Sequence, residues 1–220
     1  MLRGWKSEPK GSSLVPTAKG PARPVAPVSR QSNGLDQFFT SIQGQQGLRI
    51  LDLAGASQAN IGFITSLGHR VYSDDILRTL DDSFGSGPDM LANQSEPERV
   101  QQFLSQALDF PAAHFDGALV WDTMQFLSPH LLQLTIERLR YVLQASAYLL
   151  AFFHAEEKAE LLPSYSYRIV DSKTLSLNKR GERKPAQFFN NRSLEKLFHE
   201  FQSVKFFLTR DHLREVIVRR

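Results

Sequence analysis

Residues 48–53 read Leu-Arg-Ile-Leu-Asp-Leu and run directly into Ala54-Gly55-Ala56-Ser57-Gln58-Ala59-Asn60 (LRILDL–AGASQAN); the reading of this stretch decides the fold. The first half is a short apolar run rich in branched side chains, and the second is a cluster of small residues. Together they describe a buried strand followed by a turn. Ile61, Ile64 and Leu67 then space as a short helix, with Gly68 placed to end it. Val71-Tyr72 leads into Ser73-Asp74-Asp75, a second strand ending in acids.

Working outward, Ser95 followed by Glu98 carries a capping-box signature, and Val100, Phe103, Leu104, Ala107 and Leu108 fall on one helical face. Phe115 to Trp121 (FDGALVW) reads as the next strand, ending at Asp122. Ser128-Pro129 starts a helix whose buried stripe is Leu132, Ile136, Leu139 and Leu143. Tyr148 to Phe153 (YLLAFF) is a further apolar strand, and Leu194, Leu197, Phe198 and Phe201 mark a last helix. Val204 to Leu208 and Glu215 to Val218 close the chain as a strand pair joined by Thr209 to His212. No strand is legible between Asp75 and Ser95. Near-continuous apolar strands alternating with helices predict a doubly wound α/β fold: a mostly parallel sheet, helices on both faces, and an antiparallel edge strand near the C-terminus.

Composition narrows the class. Hydrophobic residues are 41% and charged residues 22%, the balance of an ordinary globular chain, and cysteine is absent. That excludes a disulfide scaffold, a thiolate metal centre and a cysteine nucleophile. The longest apolar run, near Ala147 to Phe153, is far short of the roughly 18 residues of a membrane span. The net charge of +3 is unevenly placed. Residues 1–33 hold Arg3, Lys6, Lys10, Lys19, Arg23 and Arg30 against Glu8 alone, together with five prolines, so they are expected to be a disordered basic tail. The tail could be a tether to an anionic surface, a targeting peptide or a proline-rich ligand, but a solvated extension is the simplest reading. Residues 34–220 then form the folded domain. They carry 20 basic and 22 acidic groups, which argues against a nucleic-acid partner. With no apolar leader segment, a cytoplasmic location is expected.

In open parallel sheets ligands bind beyond the carboxyl ends of the strands, where the strand order reverses. Three such ends carry suggestive residues: Asp52 to Ser57, Asp74-Asp75 and Trp121-Asp122. The first is nearly free of side chains and opens a helix, so a ligand can approach its backbone. The second places a carboxylate where it suits ribose hydroxyls. Histidine 154, at the end of the YLLAFF strand, points to the same crevice, although a packed or solvated role is commoner for a lone histidine. No spacing among Asp109, His114 and Asp116 supports a metal site, and none is expected. The stretch from Ala155 to Asn190, with Tyr165, Tyr167 and Arg168, sits where a lid would lie; a surface β-excursion turning at Asn178 to Gly181 is the simpler expectation.

At these residues the chain resembles the class I S-adenosylmethionine-dependent methyltransferases, over roughly Gly47 to Arg220. LDLAGASQAN resembles their first motif, YSDD their second-strand acid, and FDGALVWDTMQFL their fourth-strand segment. The resemblance implies S-adenosylmethionine as cofactor, with Asp52 organising the loop and the methionine ammonium region. It implies Ala54, Gly55 and Ala56 pressing backbone against the cofactor, Asn60 donating to its carboxylate, and Asp74 or Asp75 on the ribose. Asp122 would orient or deprotonate the acceptor, a small molecule or a protein side chain; its alternative role is to cap the next turn.

The loop departs from the family's D-x-G-x-G-x-G, because Ala54, Ala56 and Gln58 stand at the glycine positions. That motivates a second hypothesis, a catalytically inactive methyltransferase-like binding or scaffold protein. A dinucleotide or nucleotide-sugar enzyme ranks below both, since G-x-G-x-x-G is absent.

Overall fold

The computed structural model describes residues 1, 26–156, 159–209 and 213–220. In chain order the elements are β1 (Val28–Gln31), α1 (Asn33–Ser41), β2 (Arg49–Asp52), α2 (Gln58–Ser66), β3 (Arg70–Ser73), α3 (Ile76–Phe84), α4 (Met90–Asn93) and α5 (Pro97–Gln106). There follow β4 (Phe115–Trp121), a 3-10 turn over Met124–Phe126, α6 (Pro129–Val142), β5 (Leu143–His154), β6 (Leu162–Asp171), β7 (Thr174–Arg183), α7 (Asn191–Leu197), β8 (Ser203–Leu208) and β9 (Leu213–Arg219).

The central sheet has the order β3-β2-β4-β5-β9-β8. The first four strands are mutually parallel, and β9 runs antiparallel to both β5 and β8. The fold is the expected doubly wound α/β architecture, with one refinement: the antiparallel strand lies inside the sheet and β8 forms the edge. The sheet's other edge is β3, in keeping with the missing strand after Asp75. There the chain forms α3 instead, capped by the Asp75 carboxylate on the Arg78 N–H and burying Leu77, Leu80 and Phe84.

Alternation along the strands splits the core into two. Leu51, Ala118, Val120, Leu149, Ala151 and Phe153 face α3, α5, α6 and α7. Ile50, Leu119, Trp121, Leu150 and Phe152 face α1, α2 and the second sheet, β1-β7-β6. Gly117 permits the close approach on that side, since a Cβ there would lie 2.8 Å from Phe38 Cζ.

Several local expectations hold and several shift. Gly68 follows α2 at φ +82 and its N–H donates to the Thr65 carbonyl, a helix stop of the expected kind. Ser128 caps α6 through the Leu131 N–H. Helix α5, however, starts at Pro97 with Glu96 as its cap, because proline is pre-set for the first helical position. The β-excursion exists as β6 and β7, but it turns at Ser172-Lys173; Asn178 to Gly181 lies inside β7, opposite an irregularity at Ser164/Tyr165.

The expected tail boundary at Asn33 also moves. Residues 28–31 form β1 on β7, and Arg30 is buried against Glu215 at 2.6 Å. A pattern-poor segment was captured by tertiary pairing. The expected disorder of residues 2–25 and the turn at residues 210–212 lie outside the described residues.

Candidate functional site

Strand order reverses between β2, which leads outward to β3, and β4, which leads to β5. Asp52 ends β2 and Trp121 ends β4, so both stand at that reversal. The Trp121 indole Nε1 donates to Asp52 Oδ1 at 2.7 Å, and the Ala54 N–H donates to the same oxygen at 3.1 Å. Asn60 Nδ2 donates to Asp52 Oδ2 at 2.7 Å. Burial raises the Asp52 carboxyl above its ordinary value, and the three hydrogen bonds partly offset this.

Asn60 is fully used. Its amide nitrogen also donates to the Tyr167 carbonyl, and its oxygen accepts from the Ile169 N–H at 2.8 Å, which ties α2 to β6. The Tyr167 ring stacks on Trp121 with centroids 4.8 Å apart and planes 9° apart. Trp121 adopts φ +59, a conformation uncommon outside glycine, at the point where the strand turns into Asp122. The inner crevice is therefore walled by Asp52, Asn60 and Trp121, which satisfy one another, and by the Tyr167 ring stacked on Trp121.

The outer rim is more open. Gly55, at φ +84 and half-buried, lets the chain turn out of Ala54. A Cβ on Gly55 would lie 3.1 Å from Asp75 Oδ2, so the Asp75 carboxylate sits against bare backbone. The Gly55 N–H donates to the Asp74 carbonyl at 3.0 Å, fastening the loop to the end of β3. Of the two neighbouring acids, Asp75 faces the loop. The Asp74 carboxyl is raised mainly by burial and held beside the Leu108 backbone. Ala56 is exposed, and Ser57 caps α2 without a side-chain hydrogen bond.

The hairpin of β6 and β7 is fastened over this rim by two ion pairs. Arg180 meets Asp75 at 3.0 and 3.3 Å, and Arg183 meets Asp81 on α3 at 2.5 and 2.6 Å. A cavity of about 580 Å³ opens beside them, walled by Gly87, Met90, Leu161, Ser164 and both arginines.

Asp122 is 1% exposed, and its Oδ2 stands 4.0 Å from His154 Nε2. Asp109, His114 and Asp116 have separate partners: Asp116 accepts from the Arg49 N–H, Asp109 pairs with Arg138, and the His114 ring packs among Tyr72, Phe110 and Phe115. Gln125 and the Trp121–Tyr167 stack were not singled out in the sequence. The alternation in Ser164-Tyr165-Ser166-Tyr167 was the available signal for the latter.

The sequence matches no protein-family model, and no curated protein is similar to it. Its fold is similar to those of several solved structures. One is 1,6-didemethyltoxoflavin-N1-methyltransferase of Burkholderia thailandensis, crystallised with 1,6-didemethyltoxoflavin and S-adenosylhomocysteine: 13% identity, 85% of this chain and 76% of that chain covered, TM-score 0.47. Another is a SAM-dependent methyltransferase of Methanosarcina mazei: 15% identity, coverage 80% and 93%, TM-score 0.46. A third is magnesium protoporphyrin IX methyltransferase of Synechocystis PCC 6803 with bound SAM: 13% identity, coverage 86% and 77%, TM-score 0.46. Among the described residues no helix is long and apolar enough to cross a membrane.

Proposed function

We propose that this domain binds S-adenosylmethionine along the rim of Ala54, Gly55, Ala56 and Asp75 and transfers its methyl group to a small-molecule or protein acceptor. One observation carries the reading: the Asp75 carboxylate lies against the bare backbone of Gly55, at the open end of the strand-order reversal. A carboxylate so placed can accept from ribose hydroxyls while a nucleoside lies along the main chain. The residues at the rim fit the cofactor. Arg180 holds Asp75 in an ion pair of partly exposed groups, an interaction worth at most about 1 kcal/mol, so a ribose can displace it.

Asp52 and Asn60 act one layer beneath, fixing the Ala54 turn and the start of α2. When bound, the cofactor supplies an activated methyl group. The chain's part is to hold the acceptor in line with it, and orientation alone can contribute on the order of 7–11 kcal/mol. Asp122, buried beyond Trp121, belongs to the acceptor side. The slightly acidic composition of residues 34–220 favours a small or protein acceptor over nucleic acid. A cytoplasmic location is part of the same reading.

A second reading, an inactive methyltransferase-like binding protein, is favoured by a different observation: the stacked Trp121 and Tyr167 rings occupy the inner crevice. Titration calorimetry with S-adenosylmethionine and S-adenosylhomocysteine separates the two. Saturable binding that Asp75→Ala removes is expected. No binding at millimolar ligand overturns the methyl-transfer reading. Binding without transfer to any hydroxyl, amine, thiol or protein acceptor favours the second.

A further inference from the structure

Four buried polar atoms without a hydrogen-bond partner gather where β4, β5 and β6 meet: Asp122 Oδ2, His154 Nε2, Gln125 Nε2 and the Tyr167 hydroxyl. They are one cluster. Asp122 Oδ2 and His154 Nε2 are 4.0 Å apart, and the Gln125 side-chain oxygen accepts from the His154 N–H at 3.0 Å. Burial first, and the nearby Asp122 carboxylate second, hold the proton on the Tyr167 hydroxyl, which makes no hydrogen bond of ordinary geometry. All four residues are at most 8% exposed.

Buried polar atoms are nearly always partnered, so a cluster of orphans marks a place where another molecule supplies the partners. The chemistry of the four says which kind. A carboxylate oxygen only accepts, an amide NH₂ only donates, and a phenol or imidazole does either according to its proton. A group that both donates and accepts satisfies the set. The gap between Asp122 and His154 is too long for a direct bond, but an oxygen or nitrogen about 2.8 Å from each would bridge them. Tyr165, half-buried on β6, lies nearly parallel to the His154 ring at 6.4 Å, and its ring is 6.2 Å from that of Tyr167, which stacks on Trp121. Such walls suit a flat or apolar body behind the polar end.

We propose that Asp122, His154, Gln125 and Tyr167 form the subsite for the methyl acceptor, and that the acceptor presents a hydroxyl or amine group between Asp122 and His154. The term acceptor rests on the methyl-transfer reading; the subsite itself rests on these four side chains. For a hydroxyl, Asp122 accepts its hydrogen and Gln125 donates to one lone pair, leaving the other for the methyl group; for an amine, Asp122 and His154 each accept a hydrogen and the lone pair is left for the methyl group.

The test uses full-length protein with ¹⁵N-labelled histidine, in the presence and absence of S-adenosylhomocysteine. The probes are p-cresol, catechol, n-butanol and n-butylamine, with p-xylene as the control that lacks a polar group. At least one hydroxyl or amine probe is expected to shift the His154 ring nitrogens saturably, while p-xylene does not. Asp122→Asn and His154→Gln, confirmed folded by circular dichroism, are expected to weaken that probe by about tenfold or more, as loss of a buried charge-assisted hydrogen bond implies. Gln125→Ala provides a third variant that leaves the charges in place. Absence of any probe-dependent shift in the wild type, or equal affinity in all three variants, overturns the subsite. Wild-type protein that binds probes but never S-adenosylhomocysteine keeps the subsite and removes the word acceptor.

Discussion

The indole nitrogen of Trp121 and the carboxylate of Asp52, 69 residues apart in the chain, meet at 2.7 Å across the reversal of strand order. The bond joins the carboxyl ends of β2 and β4 and closes the deep end of the crevice. It leaves the rim at Gly55 and Asp75 as the open part. Two strand-end residues that the sequence suggested for a ligand thus hold each other.

Replacing Trp121 with Phe keeps most of the ring and removes the donor. The Asp52 carboxylate stays buried with one partner fewer, so the variant should lose about 1.5–3 kcal/mol. Urea denaturation checks this: the midpoint should fall with an unchanged slope. A midpoint within error of the wild type would mean that the bond contributes nothing.

The pH dependence of Asp52 has a definite sign. Burial lifts its carboxyl above 3.8, so the folded state holds this proton more tightly than the unfolded chain. Its contribution to stability is complete below the unfolded value and is lost as pH rises through the folded one. Asp52→Asn cannot titrate. The stability of the wild type relative to that variant should therefore decline as pH rises above the ordinary carboxyl value, measured by chemical denaturation at each pH. A relative stability that rises with pH would contradict burial as the dominant influence.

Glu215 anchors the first strand. It is fully buried, pairs with Arg30 at 2.6 Å and accepts from the Gly34 N–H, while Arg30 also lies over the Phe152 ring. Glu215→Gln keeps an acceptor for Gly34 but leaves the guanidinium without its counter-charge. A loss of about 3–5 kcal/mol is expected in thermal or chemical unfolding. Arg30→Met in the same chain should recover most of it. If the double variant is no better than the single one, the charge pair is not the cause.

The arginines of β7 should separate by burial. Arg180→Ala removes a partly exposed pair and should change stability by less than about 1 kcal/mol. Under the methyl-transfer reading it also frees Asp75, so S-adenosylhomocysteine should bind at least as tightly as to the wild type. Arg183→Ala breaks a bidentate pair with Asp81 whose arginine side chain is 19% exposed, and should destabilise more. Calorimetry and melting curves on the two variants decide; weaker binding in Arg180→Ala would argue against Asp75 as a ribose ligand.

Much of this molecule was legible because its signals are local. A branched apolar run ending in Asp52, a glycine at position 68 and a serine-proline pair at 128–129 each specify backbone behaviour within a few residues. The strandless stretch after Asp75 was legible for the same reason, and it became α3. The turn of the excursion was misplaced because Asn178 and Gly181 carry turn propensity, yet β6 pairs along β7 as far as Arg183 and holds these residues extended. Capping by Ser95 gave way to Pro97 because one residue at the first helical position outweighs a side-chain bond that the geometry does not form.

The candidate site divides in the same way. Asp52, Gly55, Asp75 and Asp122 could be singled out, since strand ends and small-residue loops are readable from one segment each. Their partners could not be. Whether Asp52 faces a ligand or Trp121, whether Asp75 meets Arg180, and whether His154 and Tyr167 join Gln125 around Asp122 depends on segments 29 to 105 residues apart being brought to one place. The amino-acid order alone determined the strands of the central sheet and the doubly wound class, because periodicity and turn chemistry act along the chain. Tertiary structure alone decided which polar groups are satisfied internally and which are left waiting, because hydrogen bonding at a buried site is a matter of distance in space.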